Sequence, residues 1–298
     1  MVIDTSKLKY IEWLEEAAFA TAPTNGTWKS MGGRLPDASF KGGSTIEDYS
    51  YLPGASDTDL LGSTDAVKTG EEMSISATIN PTDWSLLPVV LSSDSLSAYT
   101  PGDTKNYVSI GMIAGSEYGV MSGGMISNYQ FSIEHGRRAE VSVDIPGAKF
   151  GGWSGTDYIG TGAHALVPSG ILMWDDLTDI KYDAASISSS EMILDSLKFT
   201  IEQPADPVGD LSSSLDSGVA DWDYKPRKIT TELGISCVDM SIDTDIFAGA
   251  AHTVAFTAMS KTLTFSNVVW KPSDRPLSAA DKLGMTLSST PATQLAIA

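Results

Sequence analysis

The sequence predicts an all-β fold, an antiparallel β-sandwich or barrel with one or two short flanking helices. Three observations predict it. Segments of strict two-residue alternation recur along the chain, the pattern of half-buried strands with one face on a core. Helical periodicity is scarce. Clusters of Gly, Asn, Asp and Ser separate the alternating segments, as turns do. The 298 residues, 42% of them hydrophobic, suffice for a sizeable core. With no clear repeat or boundary, residues 1–298 read as one domain.

The elements follow in chain order. Tyr10–Ala20 carries Ile11, Leu14 and Ala18 on one helical side and is a candidate short helix. Pro36–Asp65 is rich in Gly, Ser and Asp and reads as a long loop. In the next segment Met73, Ile75, Ala77 and Ile79 alternate with Ser74, Ser76, Thr78 and Asn80, a strand. Thr82–Leu91 opens on an N-cap pair, Thr82 and Asp83, and Pro88 limits its helix. Met125–Gly147 is the clearest hairpin. Tyr129, Phe131 and Ile133 face one way, and Ala139, Val141, Val143 and Ile145 match them after a His135-Gly136 turn. Gly151–Gly162 reads as flexible. Leu197, Phe199 and Ile201 mark another strand. Pro204–Pro226 is a second long loop, of a length usually tied to function. Leu233, Ile235 and Cys237 form one strand face, Thr244–Ala251 a third helical candidate, and Val254, Phe256, Ala258, Leu263 and Phe265 two more strand faces.

Charge is the strongest compositional signal. Asp plus Glu number 38 against 19 Lys plus Arg, a net charge of −19. Gripping nucleic acid through its phosphates needs a basic footprint, which this composition denies. The acid serves a solubility or salt-adapted surface, or it lines a space that polyanions must pass without sticking. No run approaches the about 18 apolar residues of a membrane span. The first residues, MVIDTSKLKYIEWLEE, lack the apolar stretch of a signal peptide. The single cysteine, Cys237, lies in a strand pattern and reads as a small buried hydrophobe.

Catalytic patterns are thin. His135, His164 and His252 are far apart and make no close metal pair. GGWSGT lacks the last glycine of a nucleophile elbow, and no glycine-rich segment ends in the GK[ST] of a phosphate loop. Asp175-Asp176 and Asp221/Asp223 stand beside tryptophans, as in sugar sites and in plain acidic loops alike. Asp243/Asp245 and Asp57/Asp59/Asp65 are weak calcium candidates outside the EF-hand template. The acids are dispersed, which points to a structural or binding protein without cofactor or metal, and not to an enzyme.

The segment YIEWLEEAAFATAPTNGTWKSM resembles the opening of tailed-phage major tail tube proteins. That opening has a glutamate-rich strand, an aromatic, a small residue, Thr-x-Pro-Thr and a tryptophan. Here these are Glu15, Glu16, Phe19, Thr21, Pro23, Thr24 and Trp28, with Ala20 where the family has glycine. VKTGEEMSISATINPTDWSLLPVVL is similar to the family's strand and short helix, and the 125–147 hairpin to its central hairpin. The resemblance implies a β-sandwich that lends strands to an inter-subunit β-barrel. Hexameric rings would then stack into a virion tail tube, assembled in the host cytoplasm, through which genomic DNA passes without specific binding. Partners would be further copies, a tape measure protein, and tail-terminator and distal tail proteins. On this reading Asn128, Gln130, Ser132, Glu134, Glu140, Ser142 and Asp144 line the lumen, and no arginine or lysine stands on that wall. Arg137 and Arg138, at the hairpin tip, contact the next ring.

The main rival is a carbohydrate-binding or adhesin-like β-sandwich, which would use Trp153, Trp174 and Trp222 as stacking platforms.

Overall fold

Where polar and apolar residues alternate, the backbone can satisfy its hydrogen bonds laterally while one face stays wet. The computed structural model describes residues 8–31, 37–50, 64–91, 105–164, 170–183, 185–186, 192–209, 219–237, 248–271, 283–291 and 293–298. Its strands begin with β1 (Leu8–Glu15), β2 (Lys29–Ser30), β3 (Asp37–Ser50), β4 (Thr64–Ile79), β5 (Val108–Ala114) and β6 (Glu117–Gly124). Next come β7 (Asn128–Glu134), β8 (Glu140–Pro146), β9 (Lys149–Ser154), β10 (Thr178–Tyr182), β11 (Ala185–Ser186), β12 (Met192–Glu202) and β13 (Ala205–Gly209). The last are β14 (Val219–Tyr224), β15 (Lys228–Cys237), β16 (Ala251–Ala258), β17 (Lys261–Val269), β18 (Leu283–Ser288) and β19 (Gln294–Ile297). One helical turn, α1 (Leu87–Val90), and a 3-10 turn at Trp174–Asp176 accompany them.

The strands form a seven-stranded sheet, β18-β15-β12-β7-β8-β4-β3, two five-stranded sheets, β2-β1-β5-β6-β9 and β11-β10-β16-β17-β19, and the β13-β14 pair. All strand pairs within them are antiparallel, and among the described residues no sheet closes on itself.

One face of the seven-stranded sheet carries the core. Phe131 of β7 and Phe199 of β12 stack on each other at 5.1 Å. Phe256 of β16 lies 6.1 Å from Phe131, and Phe265 of β17 lies 5.2 Å from Phe199. At the other end Phe40 of β3 meets Phe150 of β9 at 4.7 Å. Both five-stranded sheets thus cover the same face. Trp84, held by the turn before α1, fills the gap between Phe131, Phe199 and Phe256 and donates its indole N–H to the Ala258 carbonyl at 2.9 Å. Burying side chains of this size stabilises by about 1.5–3 kcal/mol each.

Several expectations need correction. Tyr10–Ala20 is not a helix: Leu8–Glu15 is a strand. Ile11, Glu12 and Trp13 are all buried, so both faces of β1 are covered and its alternation is lost. The 36–65 loop is in part strand, since β3 occupies Asp37–Ser50 and β4 begins at Thr64. β8 pairs with β4 only from Ser74 to Ile79, whereas β3 follows β4 back to Thr64, so a two-stranded ribbon extends past the sheet. The 204–226 loop contains the β13–β14 hairpin, with residues 210–218 outside the described set. β9 occupies the start of the segment read as flexible, Gly151–Gly162. Of the helical candidate Thr244–Ala251, residues 244–247 lie outside the described residues, and Ala251 opens β16. Thr82–Leu91 does hold a helix, of a single turn.

Candidate functional site

The second face of the seven-stranded sheet is polar, and its chemistry is set by register. Tyr129, Phe131, Ile133, Val141, Val143 and Ile145 are at most 2% exposed. The intervening Asn128, Gln130, Ser132, Glu140, Ser142 and Asp144 are half-exposed, and Glu134 is exposed. Cross-strand pairing places these residues in rows that run across the strands. One row joins Thr230, Thr200, Gln130, Ser142 and Thr78. A second joins Lys228, Glu202, Asn128, Asp144 and Ser76. A third joins Ser288, Glu232, Lys198, Ser132 and Glu140.

The carboxylate of Asp144 is gripped from both neighbouring strands. Ser76 Oγ donates to Oδ1 at 2.6 Å, and Asn128 Nδ2 donates to Oδ2 at 3.1 Å. The Thr78 and Ser142 hydroxyls pair at 3.3 Å. Such cross-strand pairs each add about 0.2–1 kcal/mol and fix side-chain direction.

The sheet corrects one part of the sequence reading. The wall is not free of cations: β12 and β15 add Lys198 and Lys228 to the face that the hairpin begins. The alternation of 197–202 marks Lys198 as outward, but only the β7–β12–β15 register sets it beside Ser132 and Glu232. The tip arginines are engaged within the chain. Arg137 Nε lies 3.2 Å from Glu134 Oε2, and Arg138 Nε lies 3.9 Å from Glu140 Oε1. The tip itself is braced, since Ala139 N–H donates to the Leu172 carbonyl at 2.8 Å and Trp174 N–H to the Arg137 carbonyl at 3.0 Å. A cleft of about 420 Å³ opens there, lined in part by Ser132, Glu140, Arg137, Arg138, Ile171 and Met173.

Titratable clusters lie elsewhere. His164 stands between two carboxylates, with Nδ1 2.7 Å from Glu12 Oε1 and Nε2 2.9 Å from Asp157 Oδ2. Tyr158 Oη donates to the same Glu12 oxygen at 2.7 Å. Burial works against charge on His164, but the two carboxylates outweigh it and raise its pKa above the ordinary histidine value. The Glu12 side chain is 0% exposed, whereas His164 and Asp157 are about a third exposed, so the imidazole ties a buried carboxylate to a surface one. Glu16 is a buried acid whose pKa is raised by burial, offset in part by the Ser109 hydroxyl at 2.6 Å and the Gly123 amide at 2.7 Å. His252 Nδ1 meets Asp183 Oδ2 at 2.7 Å, and its ring stacks on Tyr182 at 5.0 Å.

The other candidates separate. Asp221 bonds Lys105 and Tyr107, and Asp223 bonds Lys225, so both acids are spent on fixing the β13–β14 hairpin. Trp222 is buried and donates to the Gly123 carbonyl at 2.9 Å. Trp153 packs on Phe40 and Phe150. Asp176 accepts the Met173 N–H at 2.8 Å, which closes the 3-10 turn. The calcium candidates Asp57, Asp59, Asp243 and Asp245, and the side chain of Asp65, lie outside the described residues. Among the described residues no cluster of three metal-ligating side chains occurs. No protein-family model and no curated protein sequence matches the chain.

Proposed function

We propose that the chain is a structural subunit of a tube, of the kind its sequence resembles in tailed-virus tails, and that the polar face of the seven-stranded sheet lines the channel. The observation that carries this reading is the sheet itself. It is packed on one face, largely polar on the other apart from Ile193 and Pro146, and ends in two edge strands, β18 and β3. Exposed edges of a sheet this wide invite pairing with another chain. Joining β18 of one copy to β3 of the next would turn the separate β-sandwich subunits into one closed barrel, with the polar rows inward. Polyanionic DNA would pass a wall of hydroxyls, amides and carboxylates to which β12 and β15 add Lys198 and Lys228, the latter directly opposite Glu202. Lys198 has Glu232 as its direct cross-strand neighbour, which tempers its pull on phosphates. Hexameric rings, a virion tail location and contacts to tape measure and tail-end proteins belong to this proposal.

The carbohydrate-binding reading draws no support from Trp222 or Trp153, whose rings are occupied by protein contacts. Sedimentation velocity and negative-stain electron microscopy of the purified protein, from low to molar salt and at rising concentration, test the tube reading. Rings or tubes with an open channel are expected. A monomer under every condition would refute it.

A further inference from the structure

Asn25 is followed by Gly26, the one Asn-Gly step in the chain. The step lies in the loop between β1 and β2, and both residues are exposed. Gly26 adopts φ 105°, and with no Cβ it leaves its amide nitrogen open to approach. Among the described residues neither the Asn25 carboxamide nor the Gly26 N–H has a hydrogen-bond partner. A carboxamide carbon and a free backbone nitrogen thus stand side by side in water, and no contact holds either back.

The two carbonyls around this step are both in use. The Thr24 carbonyl accepts the Thr161 N–H at 3.1 Å, and the Gly26 carbonyl accepts the Ala163 N–H at 3.0 Å. Trp28 N–H returns a bond to the Ala163 carbonyl at 3.0 Å. The fit is close. A Cβ on Gly160 would lie 2.5 Å from the Thr24 oxygen, and one on Gly162 would lie 2.6 Å from the Gly26 oxygen. This clasp holds the segment that brings Tyr158 and His164 onto the buried Glu12. Its grip depends on the spacing of two carbonyls with Asn25 between them.

We propose that Asn25 is a site of spontaneous deamidation and isomerisation, and that its conversion to isoaspartate opens the clasp. The Gly26 nitrogen attacks Asn25 Cγ and closes a five-membered succinimide. The Cγ–Nδ2 bond breaks, and Nδ2 departs as ammonia with the proton that Gly26 N–H gives up. Solvent water then adds to one of the two ring carbonyl carbons. Opening at Cγ gives aspartate. Opening at the backbone carbonyl leaves the chain running through Cβ and Cγ, which is isoaspartate. The carboxamide nitrogen is exchanged for a water oxygen, no redox partner is needed, and one negative charge is added. Isoaspartate lengthens the backbone between the Thr24 and Gly26 carbonyls by one bond, about 1.5 Å. Thr161 and Ala163 then cannot both keep their acceptors. The inference stands on the clasp alone, whether or not the chain builds a tube.

The test ages the full-length protein at pH 7 and pH 9 in heavy-oxygen water, which marks conversion during ageing and not during digestion. Trypsin frees Tyr10–Lys29, in which Asn25 is the only asparagine and no glutamine occurs. That peptide should shift to the acid mass, carry the heavy oxygen and accept a methyl group from an isoaspartyl methyltransferase. The shift should come sooner at pH 9, because the attacking nitrogen must lose its proton. Hydrogen exchange of the aged protein should show a loss of protection in 159–164. Asn25→Gln, whose ring would have six members and closes far more slowly, should keep both mass and protection through the same ageing. A Tyr10–Lys29 peptide that converts no sooner than the peptides holding Asn106 and Asn128 overturns the site. Conversion that leaves 159–164 as protected as before, or an equal loss of protection in aged Asn25→Gln, overturns the clasp.

Discussion

Replacing His164 with Phe keeps a ring beside Tyr118, which stacks on His164 at 6.4 Å, and removes both donors. In the wild type those donors reach Glu12 at 2.7 Å and Asp157 at 2.9 Å. Hydrogen bonds to charged groups contribute about 1.5–3 kcal/mol each, and the Asp157 end, about a third exposed, deserves a discount for solvent. The loss should therefore be about 2–4 kcal/mol where the imidazolium is formed. The sign of the pH dependence follows from the direction of the shift. The folded-state pKa of His164 lies above the unfolded value of about 6.5, so the stabilisation is complete below that pH and fades as pH rises through the folded pKa. Urea unfolding of both proteins, followed by tryptophan fluorescence at pH 5.5, 7 and 9, gives the difference directly. The gap should be widest at pH 5.5 and narrowest at pH 9. A gap that is constant, or that widens with pH, would show that His164 is not a charged latch. Hydrogen exchange should locate the loosening in residues 155–164, which are pinned to the Thr24–Gly26 segment through the Thr161 and Ala163 amides.

The remaining predictions concern the core, a close approach, a buried acid and assembly. Trp84→Ala removes the plug between three phenylalanines and should cost about 3–5 kcal/mol in urea unfolding. Gly111→Ala places a Cβ against the Tyr158 ring and hydroxyl, so it should destabilise by about 1–3 kcal/mol and speed hydrogen exchange in 155–164. For Glu16 the raised pKa means that the folded chain holds the proton more tightly. Stability should rise as pH falls from the folded pKa toward the unfolded one, and Glu16→Gln should flatten that slope in a pH series of unfolding midpoints. At −19 net charge, assembly should strengthen from low salt to about 1 M, where the Debye length is about 3 Å, as light scattering would show.

The 125–147 hairpin was legible because its strands keep one face on the core and the other in water, which writes the period of two into the sequence. β1 was not, because Glu12 is buried beside Ile11 and Trp13, and the resulting spacing of Ile11, Leu14 and Ala18 imitates a helix. β3 hides in a composition of Gly, Ser and Asp, since its order comes from pairing with β4 and not from its own residues. The seven polar hairpin residues were readable as one face. Their neighbours Lys198 and Glu232 belong to that face only through strand order, which no local pattern encodes. The Glu12–His164 contact spans 152 positions and leaves no trace in spacing. Ala20 stands where the resembling family has glycine, and it adopts φ 53°, the left-handed region that favours glycine.

Both five-stranded sheets sit on one side of the seven-stranded sheet, and this divides the chain's selective constraints. Substitutions on the packed side must satisfy volume and shape. Among the described residues no second sheet packs over Gln130 or Ser142, and changes at surface positions of this kind typically shift stability within ±0.5 kcal/mol. The polar face can therefore drift, or be rewritten by an engineer, in charge and size while the scaffold stays as it is. Evolvability is concentrated on the face that we propose lines the channel.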